Sequence, residues 1–500
     1  MKPVAALTLA LVLPVAAQDW ARLRTGAERT IFFKAAVPLT GFRGAGFLEA
    51  LDLAAPLRFG NFEASSGQTA GGAITKKLAP GLTPDEIAAI RTALRRGNRR
   101  IIAYSVPAIP SEEPSARALF QFARDLDIES IVPAAAPQAA PLIDKLTAEF
   151  KVNVAAGRDV LRLANAAPAE LGQRFLAAWR EKRKPLVILQ PAGSVSGLSA
   201  ELDAYEAALV PVMSEYVAEL GRTTAIRTLD AQPRLTAEQK ADAIAKMSAA
   251  LPARPQAQPR KPRRLLVFDL QVGYPGHPSI PYANWVLEQF GKKTGAWEAT
   301  FSNGLANFQY ERLRQYDAVF LNNTVGLLFN PPEMRAAIVR FLKEGGGLAG
   351  YHASTHASID WPEFTEIIGA SSGAHREATE KVTVKLDDPA SPLNAVFGGQ
   401  SFISVDEHFR WSNYSRQRVR VLLSIDVPAT DMNQGRGCDI CTREDNDYAI
   451  SWVRSYGKGR VFYTSLGHGP ATFMDPKIVG HMLAGIQFAL GDLDADTTPH

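Results

Sequence analysis

The chain is poor in cysteine, in charge of one sign and, over more than half its length, in histidine. Two cysteines in 500 residues exclude a disulfide scaffold and any zinc site built from four thiolates. Lysine and arginine number 55 against 51 aspartates and glutamates, a net charge of +4. On this length that excludes a nucleic-acid binder working by bulk charge, and no nucleic-acid partner is expected. After the first residues no run is apolar enough to cross a membrane as a helix. None of the eight histidines precedes His277; seven fall between His277 and His481, and the last is His500. Imidazole chemistry therefore belongs to the second half. The remainder is ordinary for a folded chain, 46% hydrophobic and 21% charged, with length for about two or three domains.

Two segments stand apart from the folded halves. Met1-Lys2 precedes an apolar run from Pro3 to Ala17, ending in the small residues Val15-Ala16-Ala17. A basic start, an apolar stretch and small residues at a cut read as a secretory signal over residues 1–17. The expected location is periplasmic or secreted, with no membrane span once the signal is removed. Between Leu251 and Arg264 lie four prolines and five basic residues without hydrophobic period. This reads as an extended, semi-rigid linker. It divides a domain at 18–250 from one at 265–493, with a tail at 494–500.

The first domain alternates short apolar runs with helical patterns. Strands are predicted at Ile31–Val37, Phe59–Ala64, Arg100–Val106, Ile128–Val132, Val152–Ala156 and Leu186–Gln190. Between them Thr83-Pro84-Asp85-Glu86 opens a helix with a capping box. Such βα repetition implies a parallel sheet, open or closed into a barrel.

The runs FLEALDLAAPLRFGNFEAS and LTPDEIAAIRTALRRGNRRIIAYSVP resemble the sugar phosphate isomerase/epimerase superfamily, a xylose-isomerase-like TIM barrel. That resemblance implies a site at the strand C-terminal ends and a divalent metal held there by carboxylates and histidines. Glu63 stands where the first such carboxylate is expected. Val132-Pro133-Ala134 and Ala155-Ala156-Gly157 stand where the next ligands should be. One carboxylate cannot hold a metal, so a degenerate barrel is expected. The alternative is a metal-free site using Glu63 and Tyr104.

In the second domain, apolar strands at Leu265–Leu270, Asp317–Asn322 and Leu348–Tyr351 alternate with helices at Pro281–Phe290 and Pro332–Lys343. Ligands of open α/β sheets bind at strand C-terminal ends. Asn323 and His352 fall there. A hairpin at Ala449–Ser465, turning at Gly457-Lys458-Gly459, delivers His468 between two glycines at its own strand end. Glycines beside a histidine let a ligand approach the backbone.

The run EGGGLAGYHAST resembles the strand-to-elbow segment of class I glutamine amidotransferase-like folds. The nucleophilic cysteine of those enzymes is replaced by His352, so glutamine hydrolysis is not supported. A Gly-x-His elbow, with THASIDWPEFTEIIGASSGAH, VDEHFRW and YAISWVRSYGKGRVFYTSLGH, is similar to the ThuA-like (trehalose utilisation) domains. The resemblance covers about residues 264–493. It implies a flavodoxin-like, three-layer α/β/α domain acting in carbohydrate catabolism, notably of disaccharides oxidised to 3-keto-sugars.

On these motifs the expected catalytic residues are His352, His468, Asp406 and Glu407. Neighbours on a strand point to opposite faces, so one of the two carboxylates is expected to enter the site. Asn323, Tyr351, His356, His375, Asp360 and Trp361 are expected to contact substrate; His481, inside the last helix, is expected to be a packed or surface residue. Histidines with a carboxylate suit Zn²⁺, Mn²⁺ or Fe²⁺, here at His352 and His468, and equally suit metal-free acid–base chemistry. The partner is a small carbohydrate, and the reaction a hydrolysis or elimination of a glycoside or 3-keto-glycoside. The rival reading is a non-catalytic carbohydrate-binding scaffold. Cys438 and Cys441, in a glycine-rich loop, are expected to close a local disulfide, with half a zinc site as the alternative.

Overall fold

The structure is a computed structural model that describes residues 31, 33–57, 59–163, 167–433 and 441–500. The expected signal and Cys438 lie outside these residues. Cys441 is disulfide-bonded. No helix among the described residues is long and apolar enough to cross a membrane. The chain forms two compact units, 1–213 and 214–500.

The first unit holds strands β1 (Lys34–Pro38), β2 (Asn61–Ser65), a small hairpin β3 (Thr69–Gly71) and β4 (Ile74–Lys77), β5 (Arg100–Val106), β6 (Ser130–Pro133), β7 (Asn153–Val154), β8 (Val160–Arg162) and β9 (Leu186–Ile188). Seven of them make one sheet in the order β7-β6-β5-β2-β1-β9-β8. Every pairing in it is parallel. This is the order of a (β/α) barrel opened between β7 and β8. A closed barrel of this class has eight strands. The two strands at the opening span only two and three residues, and the chain joins them by a single 3-10 turn, Gly157–Asp159, in place of an α-helix. The sheet is nevertheless curled. Arg162 on β8 reaches Glu63 on β2 at 3.0 Å, although β9 and β1 lie between them. The expected capping box is present: the Thr83 amide donates to Glu86 Oε2 at 2.7 Å, and the Glu86 amide to Thr83 Oγ1 at 3.2 Å. Tyr104 is buried, its hydroxyl donating to the Leu78 carbonyl.

The second unit carries β10 (Arg264–Phe268), β11 (Glu298–Phe301), β12 (Ala318–Asn322), β13 (Val325–Gly326), β14 (Gly347–Tyr351), β15 (His356–Ala357), β16 (Ser372–His375), β17 (Glu380–Leu386), β18 (Phe402–Asp406), β19 (Phe409–Trp411), β20 (Arg420–Ile425), β21 (Ala449–Tyr456) and β22 (Gly459–Thr464). Nine form a mixed sheet in the order β11-β10-β12-β14-β22-β21-β20-β17-β18. From β11 to β22 the pairings are parallel; from β22 onward they are antiparallel. Alternate residues serve opposite faces, as the pleat requires. Ala318, Phe320, Ala349 and Tyr351 join a core with helices Ile280–Thr294 and Pro476–Leu490. Val319, Leu321 and Leu348 face Phe341, Leu342 and Phe364 on the other side. The result is three layers, helix, sheet and helix.

The proline-basic segment differs from its expected solvated form. Gln487 in the terminal helix accepts from the Gln256 amide at 2.9 Å and donates to the Ala257 carbonyl at 2.6 Å. Arg263 is bound to the fully buried Asp492 at 2.6 Å. Leu229, Met247 and Leu251 also join the second unit's core, so its packing begins ahead of the expected boundary at 250. Prolines leave few backbone donors, and the helix side chains satisfy the backbone groups that remain.

His481, for which the sequence allows a packed or a surface place, is packed. Its Nδ1 donates to the Leu393 carbonyl at 2.9 Å and its Nε2 lies 2.8 Å from Ser451 Oγ. Burial pushes this imidazole from 6.5 down to about 4. The unfolded chain therefore takes up the proton at higher pH than the folded one, and stability is lost as pH falls through that window. Urea titrations should show a decline between pH 6.5 and 4, of which this group supplies about 3 kcal/mol. His481→Gln, which takes up no proton, should flatten the decline; an unchanged slope would show that its source lies elsewhere.

Candidate functional site

Four adjacent parallel strands, β10, β12, β14 and β22, end on one side of the sheet. Asn322, Tyr351 and Thr464 share one row of the register, so the residues that follow them emerge side by side. Asn323 and His352 emerge with φ of 57° and 45°. This left-handed backbone costs a side-chain-bearing residue about 1–2 kcal/mol and here turns the chain sharply off each strand. A Cβ on Gly350 would lie 2.5 Å from Ser354 Oγ, so the turn after β14 closes only over a glycine. Gly467, with φ of 124°, would place a Cβ 2.4 Å from the Tyr351 ring.

The buried side chains beneath lock these turns to each other. Asn323 Oδ1 accepts from the Ala353 amide at 3.1 Å, and its Nδ2 donates to Ser279 Oγ at 3.0 Å. Ser279 in turn donates to the Gly467 carbonyl at 2.6 Å. The Tyr463 hydroxyl donates to the His352 carbonyl at 2.6 Å. Asp406 is a node of the same kind. One of its oxygens accepts from the Gly467 amide at 2.8 Å and from Thr472 at 3.2 Å; the other accepts from the Glu407 amide at 2.9 Å.

Above this base three imidazoles converge. His277, from the loop after β10, joins His352 and His468, with one ring nitrogen of each within 4.8 Å of the others. His352 Nδ1 donates to the Ser465 carbonyl at 2.9 Å. Its Nε2 lies 3.1 Å from His468 Nδ1 and 3.5 Å from Glu407 Oε1. The His352 ring is stacked on Phe409 at 4.7 Å. Glu407 also lies 3.6 Å from His468 with Oε1 and 3.2 Å from His375 with Oε2. His375 is half-exposed, and its Nδ1 donates to the Arg376 carbonyl at 2.8 Å.

Burial is the chief cause of the electrostatics, followed by mutual proximity. It pushes His277 down to about 2, with His352 and His468 adding to the effect. His468 is lowered for the same reasons. Burial acts to raise Glu407, but the hydrogen bond and charge of His352, with His375 and His468, outweigh it and hold the carboxyl below its ordinary value. His277 and His468 are thus neutral and Glu407 ionised at neutral pH.

Of the two adjacent carboxylates, Glu407 enters the cluster and Asp406 turns beneath it. His356 lies beside Phe409 with ring centroids 5.4 Å apart. Tyr351 is fully buried, its hydroxyl donating to Asn322 at 2.6 Å. Asp360 is bound to Arg335, whose guanidinium also lies 5.4 Å from the centre of the Trp361 ring. Trp361 is buried and Asp360 partly so, and through Arg335 they tie the loop after β15 to helix Pro332–Lys343. His408 is packed beside Ser404 at 3.0 Å and Glu380 at 3.6 Å. Sequence reasoning missed His277 as a member of the site. Its signal was available: like Asn323 and His352 it follows a buried parallel strand, in a loop with Gly273 and Gly276.

Residues 264–489 match the family model described as ThuA, trehalose utilisation. The C-terminal unit carries a ThuA domain. Its sequence motifs and the matched segment coincide with the unit that holds the imidazole cluster. Among solved structures, the chain is similar to a thua-like protein from Bacteroides uniformis at 21% identity. That match covers 46% of this chain and 93% of that one, with a TM-score of 0.38. A thua-like protein from Parabacteroides merdae matches at 18% identity over 48% of this chain and 98% of that one, with a TM-score of 0.34. A D-psicose 3-epimerase solved in the presence of D-fructose matches at 10% identity over 37% of this chain and 99% of that one, with a TM-score of 0.23. No curated protein matches the chain.

The donor set of the ThuA domain fits a divalent metal. His277 Nδ1 is buried without a hydrogen-bond partner, and the Ser465 carbonyl orients His352 as second-sphere groups orient ligating histidines. His277, His352 and His468 would hold the ion, with Glu407 at its side. The purified full chain should bind about one Zn²⁺, Mn²⁺ or Fe²⁺, and His277→Ala should abolish this. Asp406→Ala, which frees the Gly467 amide and the Glu407 turn together, should weaken affinity by about 10–100-fold. Calorimetric titration checks both; native affinity in His277→Ala would remove that residue from the site.

Proposed function

We propose that the ThuA domain processes a sugar by proton transfer beside a polarised oxygen. The reaction is a hydrolysis or elimination of a glycoside or 3-keto-glycoside. We further propose that the protein is exported to the periplasm or secreted, on the basic, apolar and small-residue order of residues 1–17. The observation that carries the chemical reading is one carboxylate serving two sides. Glu407 Oε1 lies against His352 and His468, members of the group packed within 4.8 Å, and Oε2 lies against the half-exposed His375.

In this reading a sugar oxygen is received at the buried imidazoles, of which His277 and His468 are neutral and desolvated. A keto group there acidifies the neighbouring C–H. Glu407 takes that proton, the electron pair forms the C1–C2 double bond, and the C1–O bond breaks. The departing alcohol oxygen receives a proton from His375 Nε2, the ring atom left over once Nδ1 is held by Arg376 and Glu407. In the hydrolytic variant Glu407 takes a proton from water, the water oxygen bonds to C1 as the C1–O bond to the departing group breaks, and His375 again protonates that oxygen. A divalent metal, when bound, would supply Lewis-acid polarisation of the sugar oxygen.

A panel of disaccharides, unoxidised and 3-keto, tests the reading. Turnover of one class is expected from the native chain. Glu407→Gln, which keeps the shape and loses the basic oxygen, should lower kcat by about 10²–10⁴-fold with bound metal unchanged. Native kcat in that variant would overturn the assignment. Sugar binding by the native chain with no turnover of either class would favour the scaffold reading.

A further inference from the structure

The first unit has a second cluster, at the C-terminal ends of its parallel strands. Glu63 on β2 is only 4% exposed, deep for a carboxylate. Its Oε1 accepts from Ser105 on β5 and lies 3.0 Å from Arg162 Nη2 on β8. Arg162 Nη2 also donates to Ser105 Oγ at 3.0 Å. Three strands thus meet over the concave side of the curled sheet. Among the described residues no protein group bonds Glu63 Oε2, nor the remaining Arg162 nitrogens. Arg162 is half-exposed, with 50% of its side-chain surface open.

The residues here do not fit the divalent metal that the resemblance to sugar isomerases implies. No histidine precedes His277, and the one buried carboxylate faces a guanidinium where a metal would need it. The positive charge is covalently part of the chain. What remains is a neutral pair with an acceptor, Glu63 Oε2, beside several fixed donors on Arg162. A free anion would be repelled by the carboxylate. Vicinal hydroxyls, which both donate and accept, complement the pair. Glu63 Oε2 is not enclosed by protein, so a ligand hydroxyl can reach it and donate to it.

We infer that Glu63, Ser105 and Arg162 form a metal-independent binding site for a neutral polyhydroxylated ligand, a free sugar, separate from the imidazole site of the ThuA domain. Titration calorimetry on the full chain, stripped of metal with a chelator, tests it. The probes are neutral aldoses and ketoses, with gluconate and glucose 6-phosphate as anionic controls. At least one neutral sugar should bind, with the anions weaker. That binding should persist in His352→Ala. It should weaken about tenfold or more in Arg162→Met and in the isosteric Glu63→Gln, a loss of at least ~1.4 kcal/mol. Thermal unfolding of both variants confirms that the fold is kept. No neutral sugar bound, binding that disappears with the chelator or with His352→Ala, or binding untouched in both Arg162→Met and Glu63→Gln would each overturn the inference.

Discussion

The register of four parallel strands is the constraint on which the ThuA domain's site depends. Asn322, Tyr351 and Thr464 lie in one row, and the chain leaves each strand by a tight turn. A slip of one residue would point every following side chain to the opposite face. The turns are held from below by amide, hydroxyl and carboxylate groups with defined partners, chiefly Asn323, Ser279 and Asp406. Strain at Asn323 and His352, both at positive φ, is sustained because those bonds over-determine the backbone. The imidazoles can therefore be crowded together, with His277 and His468 kept neutral by burial, a state that an unsupported loop would relax.

Much of this was legible in the sequence where a local rule governs the outcome. The capping box at Thr83, the helix limits at Pro332–Lys343 and the strand at Arg100–Val106 follow from caps, prolines and apolar period. His352 and His468 are brought together because strand-end placement is a property of the fold class. The division of labour between Asp406 and Glu407 was not legible. Alternation allows one of two neighbours into a cleft, but which one enters depends on the distant Gly467 amide. His277 was missed because a glycine- and proline-rich loop has no period to fix where it folds back. The proline-basic segment misled for a related reason. Composition reports what a segment cannot bury of its own and is silent on Gln487 and Asp492, which satisfy it from more than two hundred residues away.

The two units treat charge in contrasting ways. In the ThuA domain a carboxylate stands among imidazoles, a donor set that invites a cation. In the parallel sheet of the first unit the buried carboxylate is answered by an arginine of the same chain. A guanidinium is always charged, planar and fixed in its donors, so it gives permanent neutralisation without the dependence of a metal site on pH and supply. The same curled sheet thus keeps a polar mouth while lacking the ligands a metal would need.

The central claim is that His277, His352 and His468 act as one ligand set. X-ray absorption at the zinc edge of the zinc-loaded full chain reads this most directly. The account expects three imidazole nitrogens at about 2.0–2.1 Å with the multiple-scattering pattern of histidine rings. A shell of oxygens without imidazole scattering would contradict it.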